Sequence, residues 1–259
     1  SDLLGCGNMG GAMLDRWLAA GLPSERVRVV NRSGAEVRPG IATSTDLPTD
    51  PPEVFVVAVK PQQLAVAADA LAAMDEPPEV LVSILAGVDL ATLKAQLPAA
   101  SHVRALPNLP VAIGQGVTLL HGDAAARPVA DALAAPLGLA EWIDDERQFD
   151  AATALAGSGP GFLFRYIDAL AAAGAAIGLP ADQAARLALA TVTGLAAQAA
   201  LAGVPPGELA RRVASKGGST QAGYDVLDAD DALVDLLTRM LAAAERRNAE
   251  MGAEAKATA

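Results

Sequence analysis

Apolar and polar positions change rhythm once along this chain, near residue 145. Before it, short continuous apolar runs alternate with segments of helical period. The runs are VRVV (27–30), VFVVAV (54–59), VLVSI (80–84), HVRAL (102–106), GVTLL (116–120) and EWI (141–143). Runs of this length bounded by turn residues predict strands covered on both faces. Helices are predicted after the opening Leu3-Leu4 run, ending near Gly21, then over 62–74, over 90–97 and from about 125. Strands alternating with helices imply a doubly wound, mostly parallel sheet. The first strand has barely four residues, so we expect a residue or two to precede Ser1. The segment 34–53 is rich in Pro, Ser and Thr, and any helix in it is expected to be curtailed.

Beyond 145 the pattern predicts no strand. Helical stretches follow near 147–156, 160–177, 181–202, 206–214, 219–227 and 230–251, separated by Gly and Pro signals. Those between 160 and 202 are apolar on too many faces for a monomer of this size. All-round hydrophobicity predicts burial against a second subunit. The expected domains are 1–145, α/β, and 146–259, all-α. Composition agrees: the chain is 52% hydrophobic but 3% aromatic, with alanine in excess, which favours closely packed helices. A net charge of -11 argues against nucleic acid or an anionic membrane as partner. No uninterrupted apolar run of about 20 residues is present, so no spanning helix is expected. No export signal is visible either. With one cysteine and hence no internal disulfide, a cytoplasmic location is expected.

Chemistry enters at GCGNMG (5–10), between the first strand and the first helix. One glycine makes the tight turn, one admits a pyrophosphate, and one lets helix and strand pack closely. Gly5, Cys6, Gly7, Asn8, Met9 and Gly10 therefore predict a dinucleotide site in a Rossmann domain, the phosphates lying at the helix N-terminus. Cys6 reads as a small packing residue rather than a nucleophile. The second strand ends in Asn31-Arg32-Ser33, where an NAD-binding domain would carry an acidic residue. Arg32 and Ser33 can instead receive a 2′-phosphate, which favours NADPH over NADH. Lys60-Pro61-Gln62 follows the VFVVAV run, at the strand end where open α/β sheets bind ligands.

In the helical half, SKGGST (215–220) is a polar, Gly-rich loop leading into a helix. Its N–H groups can gather around a carboxylate or a phosphate. The plainer reading makes Ser219 or Thr220 a helix N-cap. His102 and His121 are the two histidines, both expected at strand ends and without a catalytic role. No ligand cluster predicts a metal site.

Taken in order, GCGNMG, NRS, VKPQ, VRALPNLP (103–110), GSGPGF (157–162) and VASKGGSTQAGYDVLD (213–228) resemble pyrroline-5-carboxylate reductases over the whole chain. The resemblance implies a Rossmann domain followed by an all-α dimerisation domain. It also implies NAD(P)H-dependent reduction of 1-pyrroline-5-carboxylate to L-proline. It further implies a homodimer, with a pentamer of dimers as the larger assembly. Gly5 to Gly10, Arg32, Ser33, Ala58, Val59, Lys60 and Asn108 would face the cofactor. The substrate carboxylate would be held at Ser219 and Thr220, with the Thr220 hydroxyl near the ring nitrogen as the catalytic group. Ser215, Gly217 and Gly218 would complete the loop, and Glu146 matches a position near the substrate. Four departures are visible: Leu109 where the family usually has Thr, Ser219 for a common Thr, Lys216 where Pro is frequent, and a shortened 34–53 segment on the adenine side.

An imine reductase needs less acid–base equipment than an alcohol dehydrogenase, because a protonated imine carbon is already electrophilic. That suits a chain without an evident His or metal constellation. A β-hydroxyacid dehydrogenase would need a lysine at the hydroxyl, for which Lys216 is the candidate. A dinucleotide-binding dimer without turnover is the reading Leu109 supports best.

Overall fold

The computed structural model describes residues 1–46 and 49–258; Leu47 and Pro48, within the Pro-rich 34–53 segment, lie outside the described residues. The chain divides into two compact units. Ser1–Ser158 with Ala242–Ala259 form the first, and Gly159–Leu241 the second.

The first unit is built on an eight-stranded sheet. Its strands are β1 (Asp2–Leu4), β2 (Arg28–Val30), β3 (Ala42–Ser44), β4 (Val54–Val57), β5 (Val80–Ser83), β6 (Ser101–Pro107), β7 (Gly116–Gly122) and β8 (Gly138–Trp142). They lie in the order β3-β2-β1-β4-β5-β6-β7-β8. Helices α1 (Asn8–Ala19), α2 (Leu64–Ala72), α3 (Leu90–Gln96) and α4 (Arg127–Ala134) cover its two faces. One apolar layer packs Met13, Leu14 and Trp17 of α1 and Ala130 and Ala134 of α4 on Leu3, Val29, Val56 and Val82. The other packs Leu64, Leu71 and Leu93 on Leu4, Phe55, Val57 and Leu81. Phe55 is wholly buried at the centre of the sheet, where truncation to Ala would cost about 3–5 kcal/mol.

The sheet is mostly parallel, as expected, and three of its features differ from or add to what the apolar pattern predicts. The polar segment ATS forms β3, a three-residue edge strand that its composition does not announce. The last strand is Gly138–Trp142 rather than 141–143. And β7 runs antiparallel to β6, pairing Val103 with Gly122 and Pro107 with Thr118, whereas the other described pairings are parallel. The reason lies in the connection. A parallel crossover needs a dozen or more residues. Residues 108–115 hold only a 3-10 turn, Leu109–Ile113, and Gly114 in the left-handed region at φ 70°.

Two ion pairs tie the sheet's edge together. Arg28 grips the buried Asp2 with Nε–H to Oδ1 and Nη2–H to Oδ2, both 2.9 Å, fixing β2 beside β1. Arg38 holds Asp15 of α1 through Nε–H and Nη2–H at 2.5 and 2.7 Å, and its guanidinium holds the Asp15 carboxyl below the usual carboxylate range. After β8 the chain forms a 3-10 turn (Glu146–Gln148), α5 (Phe149–Ala152) and a π-helical turn (Thr153–Gly157) rather than one regular helix.

The second unit holds α6 (Gly159–Ala176), α7 (Ala181–Ala202), α8 (Pro206–Val213), α9 (Ser219–Leu227) and the start of α10 (Ala232–Thr258). In it α6 and α7 pack on each other through small residues, Gly174 against Ala184. Most of their apolar side chains stay uncovered, Phe164 at 62% and Leu201 at 88% exposure among them. By length and composition alone α7 could cross a membrane, although Asp182, Arg186 and Gln198 interrupt its apolar run. The last part of α10, from Ala242, belongs to the first unit.

Candidate active site

The head of α1 carries the Gly-rich turn, and the three glycines do different things. Gly5 sits at φ 86°, and a Cβ there would lie 2.7 Å from the Ala58 carbonyl oxygen. At Gly10 a Cβ would lie 3.2 Å from the Ala58 Cβ, so this glycine seats α1 against the end of β4. A Cβ on Gly7 would meet nothing within 4 Å among the described residues. No packing within the protein requires glycine there; the room it leaves opens where the first N–H groups of α1 point. Gly7 is also the helix N-cap and offers no side chain to those groups, which leaves them to an outside anion.

A cleft of about 960 Å³ lies over this turn. Its lining includes Gly5, Cys6, Gly7, Asn8, Met9, Gly10, Asn31, Arg32, Ala58, Val59 and Lys60, so the structure brings together eleven residues singled out from the sequence. Thr45, Gln63, Val66, Ile84, Ala86, Leu106 and Pro107 also line it, as do Leu4 and Val30. Apart from Gln63 and Val66, which come from the turn and helix after β4, their only sequence signal is position at or just beyond the carboxyl end of a strand. Ser33, Pro61 and Asn108 are not among the described residues that line it.

Local hydrogen bonds explain these placements. The Asn31 Oδ1 accepts from the Ser33 N–H at 3.0 Å and from its hydroxyl at 2.9 Å, while Nδ2–H donates to the Ala35 carbonyl at 3.1 Å. This turn leaves the Arg32 guanidinium with no hydrogen bond or ion pair among the described residues. The Asn108 amide is committed to the fold: Oδ1 accepts from Val117 N–H at 2.8 Å and Nδ2–H donates to Ala156 O at 3.0 Å. Gln63 Oε1 accepts from the Lys60 N–H at 3.3 Å and holds the turn after β4. Burial pushes the Cys6 thiol above its ordinary value, the opposite of what a nucleophile requires.

Glu146 lies in a second cluster of the same unit. Its Oε1 accepts from the Leu90 N–H at 2.8 Å and from Nη1–H of the buried Arg104 at 3.1 Å. Arg104 also stacks on Phe149, 3.9 Å from the ring centre, with Asp150 3.9 Å from Nη2. His121 Nδ1 must carry its proton, since it meets the Ile143 carbonyl at 2.7 Å; its Nε2 is 3.8 Å from Glu146. His102 Nε2 likewise meets the Leu97 carbonyl at 2.7 Å.

In the second unit the 215–220 loop turns through Gly217 at φ 75°, and the Gly218 N–H donates to the Ser215 carbonyl at 2.9 Å. A Cβ at Gly218 would fall 2.5 Å from the Ser215 hydroxyl. The N-cap of α9 is Gly218, with no side-chain cap bond, so neither Ser219 nor Thr220 is the cap. They are instead the first two helical residues, exposed, with their hydroxyls beside uncapped N–H groups. Among the described residues no group of three or more His, Cys, Asp or Glu could hold a metal ion.

A largely parallel sheet with a glycine turn, an arginine without a partner among the described residues and a cleft at its strand ends defines a dinucleotide-binding oxidoreductase. Residues 2–87 match the family model for NADP oxidoreductase, coenzyme F420-dependent, and residues 146–251 match that for pyrroline-5-carboxylate reductase dimerisation. A pyrroline-5-carboxylate reductase of Pseudomonas aeruginosa is 36% identical over 264 residues, covering 96% of this chain and 95% of that protein. That of Pisum sativum is 37% identical over 74% of this chain and 72% of its own length. A solved structure of the Coxiella burnetii reductase superposes with a TM-score of 0.88 at 29% identity, covering 96% of this chain and 97% of that one.

The chain belongs to the pyrroline-5-carboxylate reductase family. Its reaction is the one that defines the family, NAD(P)H-dependent reduction of 1-pyrroline-5-carboxylate to proline, and it forms a homodimer through its dimerisation domain.

Proposed function

We propose that the cleft over α1 receives NADPH, with Arg32 as the contact to its 2′-phosphate, and that the 215–220 loop holds the carboxylate of the cyclic imine. The cleft residues fit such a group: Gly7 leaves open space before free helical N–H groups, and Arg32 has no partner among the described residues. When bound, the reduced nicotinamide supplies the hydride. The chain's own residues bind and align. Gly5 and Gly10 fix the turn, and the Lys60-Pro61 corner shapes the wall beyond β4. Ser33 and Asn108 support the site at one remove, through the Asn31 turn and the β6–β7 junction.

The observation that carries the substrate assignment is the uncapped start of α9. The N–H groups of Ser219, Thr220 and Gln221 have no acceptor among the described residues, and two hydroxyls stand beside them. A carboxylate there satisfies those donors and gains from the helix dipole. Ser215, Gly217 and Gly218 shape the loop. The Thr220 hydroxyl then lies where it can orient the ring nitrogen, and alignment is what an activated imine needs most. Glu146 acts by holding Arg104 and the start of α3 in register.

The uncovered apolar faces of α6 and α7 belong, on this reading, to the homodimer interface, so that α7 meets a second copy rather than lipid. A pentamer of dimers is the larger assembly we infer from the family resemblance, and a solution mass measurement tests it. We place the protein in the cytoplasm. NADPH oxidation with 1-pyrroline-5-carboxylate, measured on the parent and on Arg32→Ala and Thr220→Ala variants, tests the site. Parental kinetics in both variants would overturn it.

A further inference from the structure

The turn after β5 has two sides. Ile84 and Ala86 line the dinucleotide cleft, and Gly87, at φ 76°, follows directly. Against Gly87 lies the far end of α10. A Cβ on Gly87 would come within 3.3 Å of the Gly252 N and Cα, and a Cβ on Gly252 within 3.3 Å of the Gly87 carbonyl oxygen. One turn earlier, Asn248 Nδ2–H donates to the Asp150 carbonyl at 3.2 Å, beside the Arg104 and Glu146 cluster. Glu146 in turn accepts from the N–H of Leu90, three residues past Gly87.

Gly252 stands well inside a helix, where glycine is poorer than alanine because it loses more backbone freedom on ordering. Its place there is explained by the close approach to Gly87. We propose that Gly252 is a positioning residue for the cofactor: the end of α10 braces the 84–87 turn from behind and thereby sets the cleft wall at Ile84 and Ala86. The proposal rests on the reading of the cleft as the NADPH site. It adds a determinant about 165 residues away in sequence from the wall it sets, counting from Gly87 to Gly252.

Fluorescence titration of the full-length protein with NADPH tests it, alongside steady-state kinetics and melting temperature. Gly252→Val forces the turn to shift by a few tenths of an ångström or more. Its Kd and KM for NADPH should rise about three- to tenfold, the equivalent of roughly 0.7–1.4 kcal/mol of lost contact. kcat and the KM for the imine should stay near parental, a split that a general loss of stability would not produce. Asn248→Leu releases the same helix without adding bulk at Gly87 and should shift the NADPH constants in the same direction. It decides the matter if Gly252→Val does not fold. A folded Gly252→Val, or failing that a folded Asn248→Leu, with parental NADPH affinity overturns the brace, whatever its melting temperature. Arg32→Ala separates the two levels. If it weakens NADPH and the α10 variants do not, the brace alone fails; if it too leaves affinity unchanged, the cleft reading fails first.

Discussion

Asn31 and Ser33 are tied to each other twice, the Asn31 Oδ1 accepting from both the N–H and the hydroxyl of Ser33. The Ser33 hydroxyl also accepts from the Ala35 N–H at 3.3 Å. The pair is therefore a preformed turn, and the residue between them, Arg32, is the one left with an uncommitted charge. Arg32→Ala should raise the KM for NADPH roughly ten- to a hundredfold, since a hydrogen bond to a charged group contributes about 1.5–3 kcal/mol. NADH, without the 2′-phosphate, should be nearly unaffected. Ser33→Ala should change both constants far less. Equal weakening of the two cofactors by Arg32→Ala would rule out phosphate recognition there.

Thr220 can be tested cleanly because Gly218, not Thr220, caps α9. Thr220→Ala should lower kcat and raise the KM for the imine. Its effect on stability should stay within about 0.5 kcal/mol, as for other exposed positions. Thr220→Ser keeps the hydroxyl and should remain close to the parent in both respects. A parental kcat in Thr220→Ala would remove the residue from the chemistry.

The apolar side chains of α6 and α7 that find no cover within the chain lead to a prediction about dissociation. An interface made of such helices resembles half of a core, so the separated monomer should not stay folded. Dilution followed by sedimentation and circular dichroism should show mass and helicity falling together. A helical monomer at nanomolar concentration would contradict this.

Thr118 carries the one buried side-chain polar atom without a hydrogen-bond partner among the described residues. The residue lines a void of about 10 Å³ together with Met13, Trp17, Leu133 and other largely apolar residues. That space barely admits a water and offers it too few partners. Thr118→Val keeps the shape and removes the orphan, whose burial costs about 1–3 kcal/mol. The melting temperature should rise by roughly 2–4 °C per kcal/mol recovered. A lower melting temperature would show that the hydroxyl is satisfied in solution.

Acid should loosen the contact between α1 and the loop before β3. The Asp15 carboxyl is held below its ordinary range, chiefly by its hydrogen bond from Arg38. A group whose pKa is depressed in the folded state contributes stability above its unfolded value, lost as pH falls through the folded one. The contribution is therefore full at neutral pH and disappears below about pH 4. Asp15→Asn should flatten the fall in melting temperature over that acid range. An unchanged acid profile would mean the pair is too well solvated to matter.

The order of strands and helices was legible because buried parallel strands need continuous apolar runs, and VFVVAV and VLVSI are such runs. Edge strands need no such run, which is why ATS escaped notice: β3 pairs on one side and is exposed on alternate residues. The antiparallel β7 could have been inferred from the eight residues between Pro107 and Gly116, too few for a crossover. In the cleft, glycines and charges announced themselves, whereas Ile84 and Leu106 are ordinary apolar residues until the fold sets them at strand ends. Asn108 shows the opposite limit. Its position next to the cleft was readable, but the commitment of its amide to Val117 and Ala156 depends on partners brought together only by folding.

Because Ala242–Ala259 complete the first unit while Gly159–Leu241 form the second, the nucleotide-binding unit is discontinuous in the order of synthesis. At roughly 5–20 residues per second, the 83 intervening residues take about 4–17 s to translate. For that interval the sheet has emerged from the ribosome but the turn at Gly87 has nothing behind it. Ribosome-bound chains that stop before residue 242 should therefore carry an assembled sheet whose hold on NADPH tightens only once α10 is released.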